Sequence, residues 1–318
     1  MKKQLFALTI FVLILVLVSQ NRATFDSDPY IHGQTAATAP VDSEKSSLYD
    51  QLEQAAETFN EPPIDAVVDK VWKAIPGYNG KVVDMKASYE AMEKSREFDK
   101  NKLIFKEIPP EVHLKDLPPA PLYKGNPAKP MASFLINVSW GEEHLPKMLK
   151  ILREEKVKAT FFLEGKWVQK NPKLANMILE EGHEVGNHAY SHPDMSTISK
   201  GRITQEIKQT NETIEAVLSV KPTLFAPPSG SYNEEVVRIA DRMNMTTILW
   251  TIDTIDWKDP DPYQMADRTA SKVENGSLIL MHPTDSAVTG LKSMIQQIKE
   301  KNIQLNTVSR LLDESRLD

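Results

Sequence analysis

The segment Gly182-His-Glu-Val-Gly-Asn-His-Ala-Tyr-Ser-His192 sets two histidines, His188 and His192, four residues apart. In a helix that spacing turns both imidazoles to one face. Two neutral imidazoles side by side are half of a first-row metal site. The same spacing also arises when two surface histidines share a turn, so the pattern is weak in isolation. The chain has no cysteine, so any metal must sit on His, Asp or Glu. Further polar clusters follow the same logic: Asn137-Val-Ser-Trp-Gly141, Pro227-Pro-Ser-Gly-Ser-Tyr-Asn233, Asp253-Thr-Ile-Asp-Trp257 and Met281-His-Pro283.

The elements that must position these clusters are legible after Pro130. Apolar runs of strand length cover Ser133–Ser139, Ala159–Leu163, Glu184–Asn187, Leu224–Ala226, Thr246–Trp250, Leu278–Met281 and Leu305–Val308. Helical stretches lie between them, over Glu142–Glu155, Asn171–Glu181, Ser199–Leu218, Asn233–Met243, Pro262–Val273 and Gly290–Lys301. Pro172 suits a first helical turn and Gly182 a helix end. Alternation of this kind predicts a parallel sheet with helices outside it. Seven strands fit a closed or nearly closed barrel as well as an open, doubly wound sheet. No glycine-rich phosphate loop follows the first strand, which disfavours a nucleotide fold. Active sites of such folds collect at the C-terminal ends of the strands, and the polar clusters fall there repeatedly.

The rest of the chain gives it an address. Lys2 and Lys3 precede an apolar run, Leu5 to Val18. That is the make-up of a secretory signal, and the run is short beside the roughly 20 residues of a spanning helix. No small-residue cleavage site follows, so residues 1–21 are expected to act as a signal or an uncleaved membrane anchor. The protein is expected to be exported, either held on the outer face of the cytoplasmic membrane or secreted. Residues 22–62 read as a polar stalk, with a short helix around Ser47–Phe59. Residues 63–113 read as a small α/β extension, in which Val67, Val68 and Trp72 fall at helical spacing, Val82–Met85 and Leu103–Phe105 suit strands, and Ser88–Arg96 suits a helix. Residues 114–130 are a proline-rich linker, and 131–318 form the barrel. Hydrophobic residues make up 41% of the 318, enough for a core, and the net charge of -6 excludes the basic footprint of a nucleic-acid binder.

From about Pro130 to Leu312 the chain resembles the polysaccharide deacetylase family of nodulation-type carbohydrate esterases, and looks closest to its exported, sporulation-associated branch in Gram-positive bacteria. Lys158-Ala-Thr-Phe-Phe-Leu-Glu-Gly165, the Gly182–His192 segment, Asp253-Thr-Ile-Asp-Trp257 and Leu280-Met-His282 carry the resemblance in order and spacing. It implies an incomplete seven-stranded β/α barrel, here preceded by the small extension and the N-terminal hydrophobic segment. It implies a divalent metal, zinc or cobalt, on His188 and His192. It makes His282 the general acid and Asp256 with Trp257 its support. A carboxylate beside an imidazole favours the charged ring and fixes its orientation. Pro228, Gly230 and Tyr232, with Trp257, would line the substrate groove. The implied reaction is hydrolysis of an N-acetyl group on a cell-wall glycan such as peptidoglycan.

The departures from the family pattern fall on the catalytic groups. Two consecutive aspartates, a base and a third metal ligand, have no counterpart in Leu135-Ile-Asn-Val-Ser-Trp-Gly141. Alignment on Ser-Trp-Gly puts Asn137 at the base position and Val138 at the ligand position. Alignment on Gly141 alone puts Ser139 and Trp140 there. Neither supplies a carboxylate. The family arginine that holds the base is Ala226 here, the usual tyrosine is Ser229, and Ala189 replaces a hydroxyl residue. Loss of a base costs about 10²–10⁴ in rate, and a metal without its anionic ligand is weakly held. Two readings follow. In the first the chain is a metal-dependent deacetylase with Asp194 or Asp253 as base, favoured by His188, His192, Asp256 and His282. In the second it is a catalytically impaired pseudoenzyme that binds glycan or a protein partner, favoured by the missing aspartates and arginine. A plain exported barrel without a site is the third.

Overall fold

The computed structural model describes residues 43–316, with side chains from Leu48 onward. The lysine-then-apolar segment of residues 1–21 and most of the stalk lie outside the described residues. No helix among the described residues is long and apolar enough to cross a membrane.

The N-terminal part is built from α1 (Ser43–Phe59), the strands β1 (Val67–Asp69), β2 (Lys73–Ile75) and β3 (Gly80–Val83), helix α2 (Met85–Met92) and β4 (Phe105–Ile108). Helix α1 is longer than the short helix read in the stalk, and Leu48 and Leu52 pack with Met92 of α2. Asp84 caps α2 by accepting from the Ala87 amide at 3.0 Å. The helical spacing of Val67, Val68 and Trp72 misleads. Residues 67–75 form an antiparallel hairpin. Asp69 Oδ1 accepts from the amides of Val71 and Trp72 at 2.7 and 2.8 Å, which closes the turn. Valine favours the extended chain, and both valines stay exposed.

The barrel runs β5 (Met131–Val138), α3 (Leu145–Glu154), β6 (Thr160–Leu163), α4 (Gly165–Lys170), α5 (Pro172–Glu180), β7 (Glu184–Asn187), α6 (Lys200–Leu218), β8 (Leu224–Phe225), α7 (Glu234–Arg242), β9 (Thr246–Thr247), β10 (Ile252–Asp253), α8 (Pro262–Lys272), β11 (Leu278–Met281), α9 (Asp285–Glu300), β12 (Gln304–Leu305) and α10 (Val308–Leu312). The strands follow the order β10-β11-β5-β6-β7-β8-β9, all parallel, with β12 added beside β5. Only Thr246–Thr247 of the predicted run Thr246–Trp250 forms strand β9, and β10 lies past that run; the two are the ends of the path, so the barrel is incomplete. The predicted last strand stops at Leu305, and Val308 begins α10 instead.

Strand β5 is buried along its whole length, as a strand covered on both faces should be. Phe134, Ile136 and Val138 face the helices together with Phe161 and Leu163. Leu135 faces the barrel interior with Phe162, Ala226 and Ile248. After one 3-10 turn at Leu114–Asp116, the linker runs on without a helix and is packed. Leu122 is 1% exposed; its amide donates to the Thr247 carbonyl and its carbonyl accepts from the Leu249 amide. The C-terminal residues tie the two parts together. Glu314 accepts from the Leu114 amide at 3.0 Å and pairs with His113, its carbonyl accepts from the Asn79 amide, and Arg316 pairs with Glu61.

One buried histidine gives the fold a pH dependence. His183, 3% exposed, accepts at Nδ1 from the Ala159 amide and lies against Phe161. Burial pushes its pKa down to about 4. The unfolded chain takes up the proton first, near pH 6.5. Stability should therefore be flat above about pH 6.5 and fall by on the order of 3 kcal/mol as pH drops toward 4. Urea midpoints of the native chain and His183→Gln across that range check it. Equal slopes in both proteins would exclude His183 as the source.

Candidate functional site

A cleft of about 400 Å³ opens at the C-terminal ends of the strands. Asn137 and Ser139 enter it from the end of β5, His188 and His192 from the loop after β7, Asp253 and Trp257 from the end of β10 and the turn after it, and His282 from the end of β11. Sequence-distant clusters thus meet in one place because parallel strands deliver their C-terminal ends to one side.

The histidine loop is not helical. Ala189 and His192 both have positive φ, near 60° and 54°. The rings nevertheless meet, with centroids 5.2 Å apart at 71°. The loop is pinned by Glu206 of α6, which is 1% exposed. Its Oε2 accepts from the amides of Tyr190 and Ser191 at 2.8 and 2.7 Å, and its Oε1 accepts from the Ser191 hydroxyl at 2.7 Å. Sequence reasoning missed Glu206, because an acid fourteen residues past His192 on a polar helix carries no local signal. Asn187 Oδ1 accepts from the Ala189 amide at 2.8 Å. His188 Nδ1 donates to the Ala226 carbonyl at 2.7 Å, which leaves Nε2 as the free lone pair. Burial, then the neighbouring His192, push the His188 pKa down to about 3, so this ring is neutral at physiological pH.

The second centre is built around His282. Asp256, 1% exposed, uses both oxygens on this residue: Oδ1 accepts from the ring Nδ1 at 2.9 Å and Oδ2 from the backbone amide at 2.6 Å. The Asp256 carboxylate is aimed by an Asx turn, in which Asp253 Oδ1 accepts from the Ile255 amide at 2.7 Å and Ile255 takes φ 57°. The Trp140 indole lies offset and parallel to the His282 ring, 6.0 Å between centroids at 9°.

The expected groove residues separate. Trp257 lines the cleft and is 53% exposed. Pro228 and Gly230 frame a tight turn that presents Ser229, itself at φ 54°, to the cleft. A Cβ on Gly230 would come within 2.7 Å of the Trp250 ring. Tyr232 does not line the cleft; its hydroxyl pairs with that of Tyr123 at 2.9 Å. Asp194 is also committed elsewhere, accepting from the amide and hydroxyl of Ser196 and from Ser231. Val138, a candidate ligand position, is fully buried against the helices, so the cleft sees Asn137, Ser139 and Trp140 instead. Alternation puts 137 and 139 on one face and 138 on the other, and Trp140 reaches the cleft because it lies past the end of β5.

A hydrolytic zinc site uses three protein ligands. Among the described residues no group of three or more His, Asp or Glu side chains is placed to hold an ion. Two imidazoles without a carboxylate do not fit a resident catalytic metal.

Comparison with known proteins agrees with this geometry. The family profile "Polysaccharide deacetylase" matches residues 124–248. The protein YlxY of Bacillus subtilis (strain 168) is 50% identical over 288 residues, 91% of this chain and 90% of that one. A peptidoglycan-N-acetylglucosamine deacetylase of Bacillus cereus is 31% identical over 179 residues, 55% of this chain and 65% of that one. The crystal structure of wild-type BA3943, a CE4 family pseudoenzyme from Bacillus anthracis, has a TM-score of 0.81 at 49% identity, covering 85% of this chain and 96% of that one. A BA3943 mutant with restored enzymatic activity has a TM-score of 0.80 at 48% identity, over 85% of this chain and 99% of that one.

Proposed function

Because the chain belongs to the polysaccharide deacetylase family, we propose that it is a member whose cleft binds N-acetylated cell-wall glycan without hydrolysing it. The observation that carries the reading is the composition of the cleft. Asp253 is the one carboxylate among the described residues that line it, and that side chain holds the Asx turn beneath Asp256. Ser139 and Trp140 stand toward the cleft, which supports the alignment on Gly141; that alignment would give a hydroxyl at the base position and an indole at the third-ligand position. Neither takes a proton from water at neutral pH. The similarity to a BA3943 pseudoenzyme, itself convertible to an active form, supports the same reading.

The glycan is suggested by the B. cereus relative, which is named for peptidoglycan N-acetylglucosamine. The lysine-then-apolar start supports export and anchoring beside that wall, the setting of the sporulation-associated branch. Protease added to intact cells would then degrade the domain.

The deciding experiment measures acetate release and binding on one N-acetylglucosamine oligomer, with zinc or cobalt added. The expected outcome is saturable binding and no acetate. Acetate release that disappears with His188→Ala and with His282→Ala would establish instead a hydrolase that draws on Asp253.

A further inference from the structure

We infer that Trp140, which the alignment on Gly141 sets at the position of a metal ligand, is the platform of a metal-independent sugar subsite, on which one N-acetylated pyranose ring stacks. The inference rests on the glycan-binding reading above and adds the residue and the mode of contact. Three of the chain's five tryptophans, Trp140, Trp250 and Trp257, line the same cleft. Trp140 is 46% exposed, although an indole that size would gain from burial. Its position is supported from behind. The parallel His282 ring backs one face, and Asp256 holds that ring through two hydrogen bonds. Gly141, next in the chain, packs so closely that a Cβ would lie 2.1 Å from the Pro283 carbonyl oxygen. The indole is therefore preorganised, which lowers the entropy lost on binding.

A pyranose ring carries an apolar C–H face and a polar rim. The face suits a fixed indole, and the rim requires hydrogen-bonding groups beside it. Asn137 provides one. It is 4% exposed, lines the cleft, and its Oδ1 has no partner in the protein. A buried amide left unpaired costs free energy that a ligand can recover. The acetamido group of the sugar, with one N–H and one carbonyl, matches an asparagine amide in either orientation. His188 Nε2, left free because Nδ1 donates to the Ala226 carbonyl, adds an acceptor nearby. None of these contacts needs a metal.

Binding of N-acetylglucosamine tetramer to the purified protein, followed by calorimetry and by tryptophan fluorescence with and without EDTA, tests the subsite. Trp140→Ala should weaken binding at least tenfold, Trp140→Phe should retain most of it, and EDTA should change neither. Asn137→Leu should reduce the preference for the N-acetylated tetramer over its deacetylated counterpart. Thermal midpoints of each variant separate lost binding from lost folding. Native affinity in a folded Trp140→Ala, or affinity abolished by EDTA, overturns the inference while leaving glycan binding intact. Failure of the native protein to bind the tetramer overturns the glycan-binding reading itself.

Discussion

The double substitution Ser139→Asp with Trp140→Asp, assayed with added zinc, should release acetate from an N-acetylated glycan oligomer that the native chain leaves intact. A carboxylate at position 140 would complete a three-ligand set with His188 and His192, and one at position 139 would supply the base. The partner half of the site is already in place, since Asp256 holds His282 at two points. Each single change should fall short: position 139 alone gives a base with no held metal, and position 140 alone a metal with no base. The recovery should be strongly non-additive, with the base alone worth about 10²–10⁴. The rival pair, Asn137→Asp with Val138→Asp, should recover nothing and should destabilise the fold, because Val138 is fully buried against the helices. A double variant at 139 and 140 that binds zinc and still releases no acetate would refute the assignment of these positions. The active variant should also bind the oligomer more weakly before turnover, since the indole and the metal ligand compete for one position.

Gly141→Ala should be among the most damaging small substitutions in the molecule. Gly141 has φ +80°, and a Cβ there would sit 2.1 Å from the backbone oxygen of Pro283. Backbone cannot retreat as a flexible side chain can. Left-handed strain and overpacking together should cost about 3 kcal/mol or more, lowering the thermal midpoint by roughly 6–12 °C. The same change would push the Trp140 loop away from the loop of His282, so glycan affinity should fall with stability. A midpoint within a degree of the native value would show that the two loops are not in contact as described. Ser219, at a comparably positive φ in the C-cap of α6, offers a control: Ser219→Gly should be neutral or stabilising.

The barrel was largely legible because each strand is a short apolar run closed by polar residues, and the polar clusters mark the strand ends themselves. His188, His192 and His282 with Asp256 come together as the spacing and resemblance led one to expect, although the His188–His192 segment is a strained loop and not a helix. Tyr232 stands away from the cleft for a related reason: residues 228 to 233 leave the strand in a turn, and only Ser229 of them lines the cleft. The hairpin at 67–75 was illegible because its turn depends on a single carboxylate, Asp69, bonding two amides. The choice between Asn137–Val138 and Ser139–Trp140 was open in the sequence, since it depends on where β5 ends. The two pairs lie two residues apart, so alternation alone would give them the same faces; they part because β5 ends at Val138, past which Trp140 turns to the cleft. Glu206 was invisible for want of any pattern linking an acid on α6 to the loop it anchors.

The ties from Glu314 and Arg316 to His113 and Glu61 span 201 and 255 positions of the chain. A ribosome finishes Glu61 long before it reaches Arg316, so the first-made part of the fold waits for the last-made part. Closing so long a loop costs little more entropy than closing one half its length, but it defers the closure until synthesis is nearly done. A chain threaded outward through a membrane would meet the same delay on the far side. The segment around Asn79 and His113 would then be the last to gain protection from hydrogen exchange, and the first to lose it when the final few residues are clipped.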